Sequence, residues 1–176
     1  MSTPSAKMLV FVGEKFACIR IIGRANFSSS IDFKTLVNEL LQKGYTYFVL
    51  DLSECMLMDS TFLGVLAGFG LKMNTAQKDP GGPAIELLNP NPRVADLLES
   101  LGVLHLFRLA QGPFTLPDQT QPHVHEPVDA TREQVTRACL EAHRTLMEIN
   151  PENISKFKEV AQFLADDLKR IKPPGQ

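Results

Sequence analysis

Residues 47–69 read Tyr47-Phe-Val-Leu-Asp-Leu-Ser-Glu-Cys-Met-Leu-Met-Asp-Ser-Thr-Phe-Leu-Gly-Val-Leu-Ala-Gly-Phe69, and the fold is decided there. The apolar run from Tyr47 to Leu50 ends at Asp51 and Ser53, the pattern of a buried strand reaching its polar end; the spacing predicts a strand over 47–52. A few residues on, Asp59-Ser60-Thr61 opens an apolar segment of helical character, predicted to run from Ser60 to about Gln77. A hydroxyl delivered to the first turn of a helix sits beside unpaired N–H groups and the positive end of the helix dipole, where a phosphate can be held. Asp and Ser are also preferred N-caps, so the same pair can simply start the helix. The two roles are compatible.

Outward from this stretch the chain alternates strands and helices. Residues 7–12 and 16–22 are β-branched, apolar runs joined by Gly13-Glu14-Lys15, a hairpin signal. Residues 23–30 are small and polar and read as a loop. In residues 31–43, Phe33, Leu36, Val37, Leu40 and Leu41 recur at helical spacing, and Gly44 supplies the stop. Beyond the second helix, Asp79-Pro80-Gly81-Gly82-Pro83 is a loop and residues 84–88 a short strand. Asn89-Pro90-Asn91-Pro92 is a cap-and-turn cluster, residues 93–101 a helix, and residues 107–109 a last edge strand. The order β-β-α-β-α-β-α-β predicts an α/β domain: one mixed sheet with helices packed on it.

Residues 111–127, rich in Pro, Gln and His and without periodicity, read as a linker. After it, Val135, Cys139, Ala142, Leu146 and Ile149 recur at alternating spacings, and Ile154, Phe157, Ala161, Leu164, Leu168 and Ile171 repeat the rhythm. With Asn150-Pro151 between them as an N-cap and N1 pair, they predict an αα-hairpin. The expected division is a domain over 1–110, a linker over 111–128 and a C-terminal helical hairpin over 129–172. Two helices rarely bury both seams alone, so the hairpin either folds back over the domain or forms a dimer or partner seam.

The arrangement of an apolar strand, Asp-Leu-Ser, an apolar pair, Met-Asp-Ser and Leu-Gly-Val-Leu resembles the STAS family, specifically the anti-sigma factor antagonists. The resemblance covers roughly residues 7–110; Leu87-Leu-Asn-Pro-Asn-Pro-Arg-Val-Ala-Asp-Leu-Leu-Glu99 followed by Leu-Gly-Val is similar to the family's last strand and helix. The family fold is STAS-like α/β, without the C-terminal hairpin. The resemblance implies partner switching. The unmodified protein binds an anti-sigma serine kinase and frees a sigma factor, phosphorylation of Ser60 ends the binding, and a phosphatase resets the cycle. Asp59, Thr61, Phe62, Asn26 and Arg24 complete the implied switch surface. Two positions depart from the family pattern. Phe62 stands where a small residue is common, and is either core or a partner contact. Gly23-Arg24-Ala25-Asn26 stands where Gly-Glu-Leu-Asp is typical: Asn26 keeps size and hydrogen bonding without the charge, while Arg24 brings a cation able to pair with a phosphate. Thr61 is a rival acceptor.

Bulk composition narrows the alternatives. The 18 basic and 20 acidic residues nearly cancel and are mixed along the chain, which disfavours a nucleic-acid or anionic-membrane partner. The N-terminus lacks a secretory pattern, and no apolar stretch is long enough for a bilayer. The three cysteines, Cys18, Cys55 and Cys139, fit reduced thiols in a cytoplasmic protein. His123, His125 and Glu126 are too few for a metal site, and His105 and His143 have no ligand-like spacing. No cofactor, metal or intrinsic enzyme activity is expected. The rival readings are an oligomeric scaffold assembled through the hairpin, a regulatory subunit of a membrane transport system, and a small-molecule-binding domain.

Overall fold

The computed structural model describes residues 6–76, 82–113, 123–124 and 129–171. Strands β1 (Lys7–Val12) and β2 (Phe16–Ala25) form the expected antiparallel hairpin, with Met8 opposite Ile21 and Val12 opposite Ala17. Helix α1 (Phe27–Gln42) follows, then β3 (Tyr47–Asp51), β4 (Cys55–Met58) and α2 (Ser60–Ala76). The domain continues through β5 (Ile85–Leu88), α3 (Pro92–Ser100), a 3-10 turn at Leu104–Leu106 and β6 (Arg108–Ala110). Strand β7 (His123–Val124) and helices α4 (Arg132–Ile149) and α5 (Asn153–Ile171) complete the described chain.

Among the described residues the sheet has seven strands in the order β6-β5-β3-β2-β1-β7, with β4 also paired to β2. The β2–β3, β3–β5 and β5–β6 pairings are parallel, while β1 is antiparallel to β2 and β7. Alternation along the central strands sets the two faces. Ala17, Ile19, Ile21, Phe48 and Leu50 point into the main core with α1 and α2, and Cys18 and Val49 point the other way with Phe11 and Leu88.

Three local readings need correction. Residues 23–30 are not a loop: β2 runs on to Ala25 through a register shift beside Gly23, whose φ of 99° suits glycine. Helix α1 then starts at Phe27, because Asn26 and Ser29 form a reciprocal capping box. The stretch before Asp59 is a strand in its own right. β4 pairs with the far end of β2, and the Asn91 amide donates to the carbonyls of Cys55 and Met56 at 3.0 and 2.9 Å. Within the segment read as linker, His123 and Val124 add a strand against Val10 and Leu9.

The C-terminal hairpin forms as expected and folds back. Helix α4 lies on α2 and α1, with Leu146 joining the main core, and α5 lies on α4. Its seams differ in detail: Thr136, Ala138, Leu140 and His143 are buried beside Ala142 and Leu146, whereas Ile154 is exposed. Asn150 ends α4 and turns the chain, its Oδ1 accepting the Glu152 N–H at 3.2 Å, and α5 begins only at Asn153. Asn153 is fully buried and donates to the carbonyls of Leu101 and Leu146, both at 2.9 Å, tying the hairpin to the end of α3.

Candidate functional site

Helix α2 receives its start from the β2–β4 pair. The Asp59 N–H donates to the Ala25 carbonyl at 2.9 Å, so the end of β4 is locked to the end of β2 immediately before α2 begins. The Asp59 carboxylate then serves two helices. Its Oδ1 accepts the Phe62 N–H at 2.8 Å, capping α2, and its Oδ2 accepts the Phe27 N–H at 2.6 Å, the first residue of α1. Burial raises the Asp59 pKa; bonds from the N–H groups of Phe62, Phe27 and Thr61 and the nearby His143 oppose the rise. The anion-attracting N-terminus of α2 is therefore already occupied by a carboxylate from the chain itself.

Ser60 is the first residue of α2 and half-buried. Its Oγ lies 2.9 Å from Nε2 of His143 on α4. The other ring nitrogen, Nδ1, lies 2.6 Å from the Cys139 carbonyl, which can only accept. Nδ1 therefore carries the proton, and in the neutral ring Nε2 is the acceptor of the Ser60 O–H. The imidazole is 5% exposed and meets the Phe157 ring edge-on, centroids 4.9 Å apart. Nothing in the spacing of His143 links it to Ser60; the pairing exists because α4 docks on α2.

The remaining residues of the expected surface divide. Asn26 sits between Ala25 and Phe27, which both bind Asp59, but its side chain is engaged in capping α1 by accepting the Ser29 N–H at 3.1 Å. Arg24 is exposed on β2 opposite Leu57. Thr61 is buried against Cys139 of α4, where its hydroxyl and the thiol interact. Of the two readings of Phe62, burial supports core: the side chain is fully covered and lies 4.8 Å from the Phe33 ring.

Burial pushes the Cys18 thiol up to about 12 and raises Cys55 and Cys139 as well, so the three thiols sit in environments that disfavour the nucleophilic thiolate. His125 and Glu126 lie outside the described residues, and among the described residues no group of three or more His, Cys, Asp or Glu side chains could hold a metal ion. No described helix is long and apolar enough to cross a membrane. A cleft of about 280 Å³ between α1, α2 and α4 is lined by Lys34, Gly64, Gly68, Lys72, Glu141 and Thr145.

The described chain is thus a mixed sheet with its helices gathered on one face, and a serine opens the helix that follows β3 and β4. The STAS domain model matches residues 10–126, and the chain belongs to that family. Among solved structures it is similar to a putative anti-sigma factor antagonist from Thermotoga maritima, at 22% identity and TM-score 0.50, over 57% of this chain and 83% of that one. It is likewise similar to the anti-sigma factor antagonist SpoIIAA in its unphosphorylated form, at 20% identity and TM-score 0.51, over 60% of this chain and 88% of that one. At these identities the likeness is one of fold. No curated protein matches the chain.

Proposed function

We propose that this protein is an anti-sigma factor antagonist of the partner-switching kind, with Ser60 as phosphoacceptor. The observation that carries the reading is the position of Ser60: a half-exposed serine as the first residue of α2, in a STAS fold similar to that of named anti-sigma factor antagonists. In this reading the unmodified chain binds an anti-sigma serine kinase and frees its sigma factor. Phosphorylation of Ser60 ends the binding, and a phosphatase restores it. Asp59, Thr61, Phe62, Asn26 and Arg24 complete the switch surface in this reading, with Asp59 capping the helix and Thr61 and Phe62 buried behind it. The protein acts by binding, without chemistry of its own, and works in the cytoplasm.

Electrostatics supports the sign of the switch. A phosphoryl group adds a charge of about −1.5 to −2. At Ser60 it stands one residue from the half-buried Asp59 carboxylate, which has already taken the N–H groups at the helix start. An unpaired charge at the centre of an interface costs on the order of 3 kcal/mol, about a hundredfold in affinity.

Phosphosite mapping by mass spectrometry on protein from its native cells, beside a Ser60→Ala strain, tests the reading. A phosphate on residue 60 that vanishes in the variant is the expected result; an unmodified Ser60 under growth and stress conditions alike overturns it. The exposed Ile154, Val160 and Phe163 on α5 favour a second reading, a scaffold assembled through the hairpin. A stable oligomer with Ser60 unmodified would shift the balance to it.

A further inference from the structure

We propose that the α4–α5 hairpin is a latch that closes over Ser60 only while its hydroxyl is unmodified, so that phosphorylation releases the hairpin and changes the shape of the protein. The inference rests on Ser60 being the phosphoacceptor and adds a structural response within the same chain.

The docked hairpin is fastened at the acceptor itself. Ser60 Oγ lies 2.9 Å from Nε2 of His143, and the imidazole is fixed on its other side by the Cys139 carbonyl at Nδ1 and by the edge-on Phe157 ring. Nor can α4 yield locally. One turn further along α2, Gly64 lets the α4 backbone into direct contact: a methyl group there would lie 2.7 Å from both the carbonyl carbon and Cβ of Ala142. Gly68 faces Thr145 one turn beyond. The Ser60 contact with α4 thus lies one turn from the closest approach of the two helices.

Phosphorylation places a larger group at that contact. Transfer from a nucleoside triphosphate forms the Oγ–P bond, breaks the bond between the terminal and penultimate phosphates, and releases the hydroxyl proton with the nucleoside diphosphate. The hydroxyl proton is gone from the contact with Nε2, and a bulky dianion with three strong acceptor oxygens stands where one hydroxyl was. The nearest backbone donors are taken, since Asp59 accepts from Phe62 and Phe27, and the Asp59 charge repels the dianion. Besides the packing of α4 on α2 and of Leu146 in the main core, the hairpin is held by Lys34 to Glu141 at 3.5 Å, both half-exposed, Lys156 to the Ser100 carbonyl at 2.7 Å, and Asn153 to Leu101. With α4 undocked, the α2 flank around Gly64 and Gly68 and the hairpin face carrying Ala142, His143 and Leu146 become available to a partner.

The test uses the full chain with phosphoserine installed at position 60 by nonsense suppression, compared with the unmodified chain and with Ser60→Ala by hydrogen-exchange mass spectrometry. The expected result is exchange across α4 faster by about tenfold or more with phosphoserine, at unchanged protection of β2 and β3, and docked-level protection in Ser60→Ala. Protection of α4 that is unchanged or increased with phosphoserine overturns the proposal, as does equal loss across β2 and β3 or equal release in Ser60→Ala. A hairpin that stays docked around phosphoserine defeats the latch and leaves Ser60 as acceptor untouched. A Ser60 never phosphorylated in cells defeats the acceptor and leaves the measured hairpin response standing.

Discussion

Two aspartates show how environment separates identical side chains. Asp59 is half-buried among backbone donors, and desolvation raises its pKa. Asp51, at the end of β3, is buried more deeply, and burial alone would raise it. The Ser53 hydroxyl and N–H and the Arg20 guanidinium, 2.8 Å away, outweigh that effect and hold its carboxyl below the ordinary carboxylate value. A depressed folded-state pKa means that the ionised group contributes stability above its unfolded value and loses it as pH falls through the folded one. Asp51→Asn should therefore destabilise the protein by about 1–3 kcal/mol near neutral pH. The deficit should shrink as the solution is acidified below about pH 4. Urea titrations of both proteins across that range check this; a deficit independent of pH would mean that the charge of Asp51 is irrelevant.

At the scale of elements, the contact of α2 with α4 is set by what is missing from α2. A helix-interior glycine ordinarily lowers stability relative to alanine by roughly 0.5–1 kcal/mol. At Gly64 the balance inverts, because the added methyl would press into the Ala142 backbone, which belongs to a packed helix and cannot swing aside. Gly64→Ala is expected to destabilise by about 1–3 kcal/mol rather than stabilise, read by thermal or urea unfolding. A more stable variant would show that α4 does not lie this close. The β4 strand belongs to the same scale. Its four residues, Cys55-Met-Leu-Met58, are too few for a periodic signal, and it is a strand because β2 overruns β3 and Asn91 supplies donors on its other side.

The whole molecule is a sheet, a helical layer on one face, and the hairpin as a further layer over α1 and α2. Stability should fall outward through these layers. Ile19, Phe48, Leu50 and Leu66 are covered almost completely, whereas α5 has only Asn153 and Ala161 buried along its length. Amide exchange should accordingly be slowest in β2 and β3 and fastest, among the described helices, in the second half of α5. Exchange of α5 as slow as that of the sheet would point to a cover from another molecule, with Ile154, Val160 and Phe163 the surface to examine.

The period-two runs of β1–β3 and the three- and four-residue spacings of α1–α5 are local properties of the chain, so the α/β order, the helical hairpin and Ser60 at the head of α2 were legible in the sequence. The polar residues at 23–30 misled because a single glycine bulge and one capping box convert apparent loop into strand and helix. His143 was illegible for a different reason. Eighty-three residues separate it from Ser60, and no periodicity encodes a hydrogen bond between two helices that meet only on docking. The sequence alone thus determined most of the elements and the place of Ser60 at the head of α2, through local patterns of burial and capping. Which side chain meets that hydroxyl, and which helix covers it, was decided by packing: two glycines on α2 let α4 approach closely enough for an imidazole to reach the serine.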